Sequence, residues 1–252
     1  MTPRLAERVR TVLRVAESVR VHAAGVHGEV DLYGVDPDGS VVLVIAETDP
    51  LVLAVRDAVD DPPVLLTATD LCPVPVADRQ RGRVELTGRI HEPPPELRRE
   101  LALVAADRED IGRLLDIGYG HTVLVVEVWD AALFDGTTRF VDAVSGAEYA
   151  AAVADPLAGV EAALLDHLLT VHPAELAQLA SLVPGDAGDR ITPIRLDRYG
   201  LVFRAGRTDH RLAFAEPVTC PRQLPAQMRA LLARAGYPSA ATVRSGGPNS
   251  PG

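Results

Sequence analysis

The sequence predicts an α+β protein, with a strand-rich first domain reaching to about residue 144 and a smaller α+β unit after it. Three observations carry that prediction. Runs of β-branched and apolar residues recur between Val19 and Trp129, and Thr122–Trp129 is the densest of them. Turn signals rich in Pro, Gly and Asp separate these runs. Composition then changes after Asp142, where helical spacing takes over.

Leu5, Val9, Val12, Leu13 and Ala16 fall at helical spacing opposite Arg4, Glu7, Arg8, Arg10, Arg14 and Glu17, which predicts an amphipathic first helix. Strands are expected at Val19–Ala23, Gly28–Val35 and Val41–Ile45. The last two are joined by Asp36-Pro37-Asp38-Gly39, where proline presets one turn dihedral and glycine accepts the next. Thr48-Asp49-Pro50 reads as a cap and first-turn proline opening a short helix to about Val59. Further strands are expected at Val64–Thr69 and Arg81–His91. Pro93-Pro94-Pro95 then breaks the chain before a helix from Glu96 to about Arg108, and Thr122–Trp129 closes the strand series. Ser145–Val153 reads as a short helix, and Asp155-Pro156 caps a longer one carrying Leu157, Val160, Leu164, Leu165, Leu168 and Leu169. Pro173 interrupts it before Ala174–Leu182. Strands at Ile191–Leu196, Leu201–Ala205 and Arg211–Phe214 precede a last helix from about Pro221 to Ala235, and residues 238–252 read as a flexible tail.

Hydrophobic residues make up 47 % of the chain and aromatics 4 %, so the expected core is built from Leu, Val, Ile and Ala. The formal charge of −10 argues against a general nucleic-acid binder, which needs a basic face. All 25 basic residues are Arg, and without lysine neither a Walker phosphate loop nor a Schiff base can form. There is no long apolar run of bilayer length, and the N-terminal segment lacks the pattern of a secretory signal. Cys72 and Cys220 are far apart with no metal-ligand spacing, which suits a reducing compartment. A cytoplasmic location without membrane attachment is expected.

The chemical signals are sparse. Asp36, Asp38, Ser40 and Glu47 imitate a calcium loop, but the loop glycine stands at the wrong position and strands flank it, so a hairpin turn is the reading kept. Arg79, Arg81 and Arg83 alternate, which on a strand aims all three to one face as fork-shaped donors for a phosphate or carboxylate; the ordinary reading is a solvated or charge-protected sheet face. Seven histidines are present, with no metal-enzyme spacing among them. His167 shares a helical face with Val160, Leu164 and Val171, where core or interface packing is the ordinary role. His172 precedes a helix break and His210 sits in a turn. No G-x-S-x-G or G-x-G-x-x-G occurs in the context a hydrolase or a dinucleotide fold requires.

One resemblance goes further. The series Asp155-Pro156-Leu157, Leu164-Leu165-Asp166-His167-Leu168, Arg195-Leu196-Asp197-Arg198-Tyr199-Gly200-Leu201 and His210-Arg211-Leu212-Ala213-Phe214 is similar to domain-of-unknown-function family 2470. That is the unit C-terminal to the barrel in HugZ-type haem-utilisation proteins. Leu32-Tyr33-Gly34-Val35-Asp36-Pro37-Asp38-Gly39 and Arg83-Val84-Glu85-Leu86-Thr87-Gly88-Arg89 resemble strands of the flavin-reductase or pyridoxamine-phosphate-oxidase-like split barrel. Together they cover about residues 3–236, and the lysine-free, Ala-rich composition resembles actinobacterial chains. The division implied is a split β-barrel (FMN-binding-like) over residues 1–144 and the family 2470 module over 145–237.

The resemblance implies a homodimer with barrels packed face to face and ligand pockets at the interface. It implies a haem or tetrapyrrole ligand in some relatives and FMN in others. The chain departs from the oxygenases of the group, whose axial histidine follows the last helix, because no histidine follows His210 here. Histidines within the module hold haem in its small stand-alone versions, so the Asp166-His167 match makes His167 the first candidate iron ligand and His210 the second. The function expected is binding of haem or a related tetrapyrrole in a regulatory or haem-handling role. The alternatives are a HugZ-like haem oxygenase or flavin-dependent oxidoreductase using Arg79, Arg81 and Arg83, and a scaffold with an empty barrel.

Overall fold

A computed structural model describes residues 2–108, 110–135, 141–184 and 191–236; the expected tail at 238–252 lies outside them. The chain forms two compact units, one of Pro3–Leu71 and Asp78–Ala158, the other gathering Cys72–Ala77 and residues from Gly159 onward.

The larger unit is a split β-barrel. Its strands are β1 (Val19–Ala23), β2 (Val26–Val30), β3 (Tyr33–Val35), β4 (Val41–Ala46), β5 (Pro63–Leu71), β6 (Gln80–His91), β7 (His121–Asp135) and β8 (Val141–Ser145). They run in the order β2-β1-β5-β6-β7-β4-β3, with β8 also paired to β7, and every pairing is antiparallel. The sheet curls until β2 comes up against β4. Its helices are α1 (Leu5–Val15), α2 (Pro50–Asp57), α3 (Pro95–Ala102), α4 (Ile111–Leu115) and α5 (Gly146–Ala150), with a 3-10 segment at Leu103–Arg108.

Alternation along the strands explains the core. Val19, Val21, Val64, Leu66, Ala68, Val84, Leu86, Leu124 and Val126 point inward with Val9, Val12 and Leu13 of α1. β4 differs, being buried on both faces. Val41 and Leu43 join the barrel interior, while Val42 and Val44 join Val123, Val125, Ala102, Ala105 and Ile117 in a second cluster on the outside. A continuous apolar run is what a strand covered on both sides requires.

Two expected elements divide. The run Gly28–Val35 is broken at Asp31, whose carboxylate accepts the Leu32 N–H at 2.9 Å; β2 then pairs with β1 and β3 with β4. The helix expected to reach Arg108 tightens to 3-10 after Ala102, where the chain closes onto β3: a Cβ on Gly34 would lie 2.2 Å from the Val104 carbonyl oxygen. α4 and β8 were not legible as elements. Asp49 caps α2 as expected, accepting from Leu51 N–H at 2.8 Å.

The end of α1 is held from a distance. The Tyr33 hydroxyl donates to the carbonyls of Leu13 (2.7 Å) and Ala16 (2.8 Å). Arg108 donates to Ala16 (2.8 Å), Tyr33 (2.6 Å) and Leu13 (3.3 Å), its guanidinium 3.6 Å from the Tyr33 ring centre. These donors satisfy carbonyls that a helix end leaves unpaired. Burial pushes the Tyr33 phenol up to about 12.

The smaller unit carries an antiparallel sheet of β9 (Ile191–Asp197), β10 (Gly200–Ala205) and β11 (Thr208–Ala213), with β10 central, and helices α6 (Glu161–Val171), α7 (Pro173–Ala180) and α8 (Leu224–Arg234). Phe203, Leu165, Leu179 and Leu231 are fully buried. Arg211 grips Asp197 with two bonds of 2.6 Å, and the buried Glu161 accepts from Leu196 N–H at 3.0 Å. No described helix is long and apolar enough to cross a membrane.

Candidate functional site

The outer face of β1, β2, β5 and β6 carries polar side chains at alternating positions. β1 ends at Ala23 and β2 begins at Val26, so Ala24-Gly25 forms a two-residue turn, both residues having positive φ (49° and 76°). This is the twist-matched hairpin turn. It fixes the register His22↔His27 and Arg20↔Glu29, while β5 sets Leu65 beside His22 and Thr67 beside Arg20. Arg83 of β6 stands opposite Thr69.

The result is an open groove of about 250 Å³ lined by Arg20, His22, His27, Leu65, Thr67 and Arg83, together with Val21 and Gly28. The two imidazoles stack face to face, centroids 4.0 Å apart and planes within 4°. Neither makes a hydrogen bond or ion pair with another described residue, so their nitrogens are left for solvent or a ligand. Arg83 lies with its guanidinium carbon 4.3 Å from the Phe134 ring centre, and its Nη2 pairs with Glu85 at 2.9 Å. Its Nε is buried with no hydrogen-bond partner. Two guanidiniums, one of them with a buried Nε–H short of an acceptor, and two imidazoles are the donor set for a phosphate or carboxylate.

The expected row of three arginines does not form. Arg79 precedes β6 and is exposed. A bulge at Asp70/Leu71 turns Arg81 out of register, and Arg81 is 5 % exposed with Nε 2.9 Å and Nη2 2.7 Å from Asp70 Oδ1. A buried carboxylate in phase with Val64, Leu66 and Ala68 demands such a partner, and Arg81 answers it. Arg83 alone of the three lines the groove.

In the smaller unit His167 stands exposed on α6, its ring edge-on to His172 with centroids 5.1 Å apart. His172 Nδ1 lies 3.6 Å from Glu175 Oε1, so the imidazole beside a carboxylate is the neighbour rather than His167 itself. His210 lies on β11 opposite Phe203 and is half-buried, in a strand rather than the turn the sequence pointed to. No ring contact or hydrogen bond joins His167 to His210 among the described residues. In the larger unit His121 Nδ1 is 2.9 Å from Asp116 Oδ2, a pairing the sequence did not disclose. No group of three or more His, Cys, Asp or Glu side chains among the described residues is placed to hold a metal ion.

Neither groove histidine belongs to a sequence motif, so local pattern alone does not mark them. The available signal was symmetry: His22 and His27 are equidistant from a two-residue turn ending in glycine.

No family model and no curated protein matches the chain. Among solved structures, a haem-binding protein from Mycobacterium smegmatis is similar at 25 % identity and a TM-score of 0.65, covering 94 % of this chain and 100 % of that one. A protein of unknown function from Agrobacterium tumefaciens is similar at 18 % identity and TM-score 0.42, over 92 % of this chain and 97 % of its own. A general stress protein 26 relative of the pyridoxinephosphate oxidase family, from Clostridium acetobutylicum, matches at 14 % identity and TM-score 0.38, over 52 % of this chain and 86 % of its own.

Proposed function

We propose that this protein is a homodimeric split-barrel binder of haem or a related tetrapyrrole, handling or sensing the ligand, with the smaller unit acting as a module of the family 2470 type. The supporting observation is the likeness to the mycobacterial haem-binding protein, which runs the whole length of that chain and takes in residues of both units here. His167 is the iron ligand in this reading and His210 the reserve. The residues fit the role to this extent: His167 offers an exposed imidazole, and beside it His172 has the carboxylate of Glu175 within 3.6 Å. Bound haem would supply an iron with an open coordination position; the chain's part is to present an imidazole and hold the ring.

Haemin titration followed by absorption tests this. A saturable Soret shift near one haem per subunit or per dimer is expected, with loss of the shift in His167→Ala and its retention in His22→Ala/His27→Ala. A spectrum identical to free haemin overturns the reading. Light scattering during size exclusion reads the dimer.

A specific observation favours flavin as second reading. The buried Arg83 Nε without a partner, with Arg20 across the groove, fits the phosphate of FMN. Quenching of FMN fluorescence on binding, reduced about tenfold in affinity by Arg83→Met and unaffected by Arg81→Met in folded protein, would support it. FMN binding untouched by Arg83→Met would remove it.

A further inference from the structure

A second concavity opens in the larger unit between the β3–β4 turn, the start of α3, β7 and α5, and it encloses about 420 Å³. Small-molecule pockets begin at about 300 Å³. One wall is apolar, with Pro94, Leu97 and Leu101 from α3 and the segment before it, facing Val125 and Val128 of β7. Asp36, Asp38, His91, Glu127 and Tyr149 bring polar groups to the same space.

Two buried polar atoms here lack partners. Tyr149 is 1 % exposed, and its hydroxyl has no well-aligned hydrogen-bond partner although the Arg10 guanidinium acts on it; the buried Nδ1 of the half-buried His91 has no partner either. Native proteins hydrogen-bond nearly all such atoms. Arg10 passes 5.2 Å from the centre of the Tyr149 ring but directs its hydrogens to the carbonyls of Asp36 (3.1 Å) and Pro37 (3.2 Å). His91 Nδ1 stands 4.0 Å from Glu127, beyond hydrogen-bond reach, and Glu127 is engaged by Arg89 at 2.7 Å.

The charge of the space is negative. Neither Asp36 nor Asp38 forms an ion pair with a described residue; Asp38 accepts from Ser40 N–H at 2.8 Å. Burial, and then the charge of Asp38, push the Asp36 carboxyl up against the opposing charge of Arg10, whose guanidinium hydrogens go to the backbone carbonyls of Asp36 and Pro37.

We propose that this cavity binds a small amphipathic organic cation, its ammonium group set against Asp36 and Asp38 and its apolar body against Pro94, Leu97 and Leu101. The Tyr149 hydroxyl and His91 Nδ1 serve the polar atoms of the same ligand. This site shares no lining residue with the Arg83 groove and stands independently of the haem and flavin readings.

The probe is 2-phenylethylamine, with phenylacetate as its anionic counterpart, titrated into the full chain by calorimetry and saturation-transfer NMR. The amine is expected to bind saturably and phenylacetate not to bind. Asp36→Asn/Asp38→Asn weakens the amine by about tenfold, and Tyr149→Phe by about fivefold. Leu97→Trp fills the wall from a position 45 % exposed, so it abolishes binding without disturbing the buried core. Circular dichroism confirms that each variant is folded, and Leu97→Trp carries the test if the carboxylate pair does not fold. Equal binding of phenylacetate, amine binding untouched by Leu97→Trp, or no saturable binding to the wild type overturns the proposal. A change of oligomeric state in Leu97→Trp without amine binding assigns the cavity to a second copy instead, which also overturns it.

Discussion

Two halves of one sheet's outer surface have opposite fates in this molecule. Over β4 and the first part of β7 the outer face is apolar and lies under α3, the 3-10 segment and α4, with Val42, Val44, Val123 and Val125 buried there. Over β1, β2, β5 and β6 the same face carries Arg20, His22, His27, Thr67 and Arg83 and forms a groove. Both halves rest on the same barrel interior, so the interior does not decide between them. The outward-pointing alternate residues do, by attracting a helical cover or refusing one.

Arg81 and Arg83, two residues apart on one strand, should differ most in what their loss costs. Removing Asp70 takes away the buried carboxylate oxygen that Arg81 Nε and Nη2 both bind, so Asp70→Ala should cost about 4 kcal/mol in urea unfolding. Arg83→Met should cost under about 1 kcal/mol, since its ion pair with Glu85 is partly solvated. Equal costs would mean that both arginines serve the core.

Glycines give a second contrast. A Cβ at Gly34 meets the backbone of Val104 at 2.2 Å under the cover, whereas at Gly28 on the open hairpin the nearest atom, Leu51 Cδ2, is 4.0 Å away. Gly34→Ala should lose about 3 kcal/mol by overpacking, and Gly28→Ala should stay within about 0.5 kcal/mol; a matched pair of thermal melts decides it.

Acid should act at the covered half. Arg56, at 2.6 Å, holds the Glu92 carboxyl below the usual carboxylate range, helped by Thr122 and Arg98 against the opposing effect of burial. A carboxyl lowered in the folded state stabilises fully above its unfolded pKa, roughly 4.3, and loses that contribution as pH falls through the folded value. Glu92→Gln should therefore remove about 1 kcal/mol at neutral pH and leave less acid dependence than the wild type. The smallest effect belongs to the open hairpin: Ala24 holds φ 49° in its turn, and Ala24→Asn should add about 0.5 kcal/mol.

What the sequence disclosed follows the same division. Alternation in Val19–Ala23 and the continuous run Val41–Ile45 were legible because burial on one or two faces writes itself into period and composition. The α+β class and the Asp49 cap of α2 followed from the same local physics, whereas the long helix expected to be capped by Asp155 begins only at Glu161, after a 3-10 turn at Ala158–Val160. The groove was not legible, since stacking His22 on His27 depends on a cross-strand register set by Ala24-Gly25. The Arg79–Arg81–Arg83 row failed for a reason no alternation pattern contains: one bulge beside Asp70 moved the middle residue from face to interior.

Arg108 gives the larger unit a timing as well as a shape. Its guanidinium ties the end of α1 to a segment some ninety residues further along, 92 between Ala16 and Arg108. The last turn of the first helix therefore cannot fray while the 3-10 segment stays docked, and the two should open as one event. In amide exchange the final turn of α1 and residues 103–108 should share a single protection level, and Arg108→Met should let the helix end exchange early while the strands β5 to β7 keep their rates. A nascent chain that has delivered α1 and Tyr33 but not yet Arg108 can hold the helix end by the phenol alone, so the guanidinium's part of the latch closes after β6 has emerged.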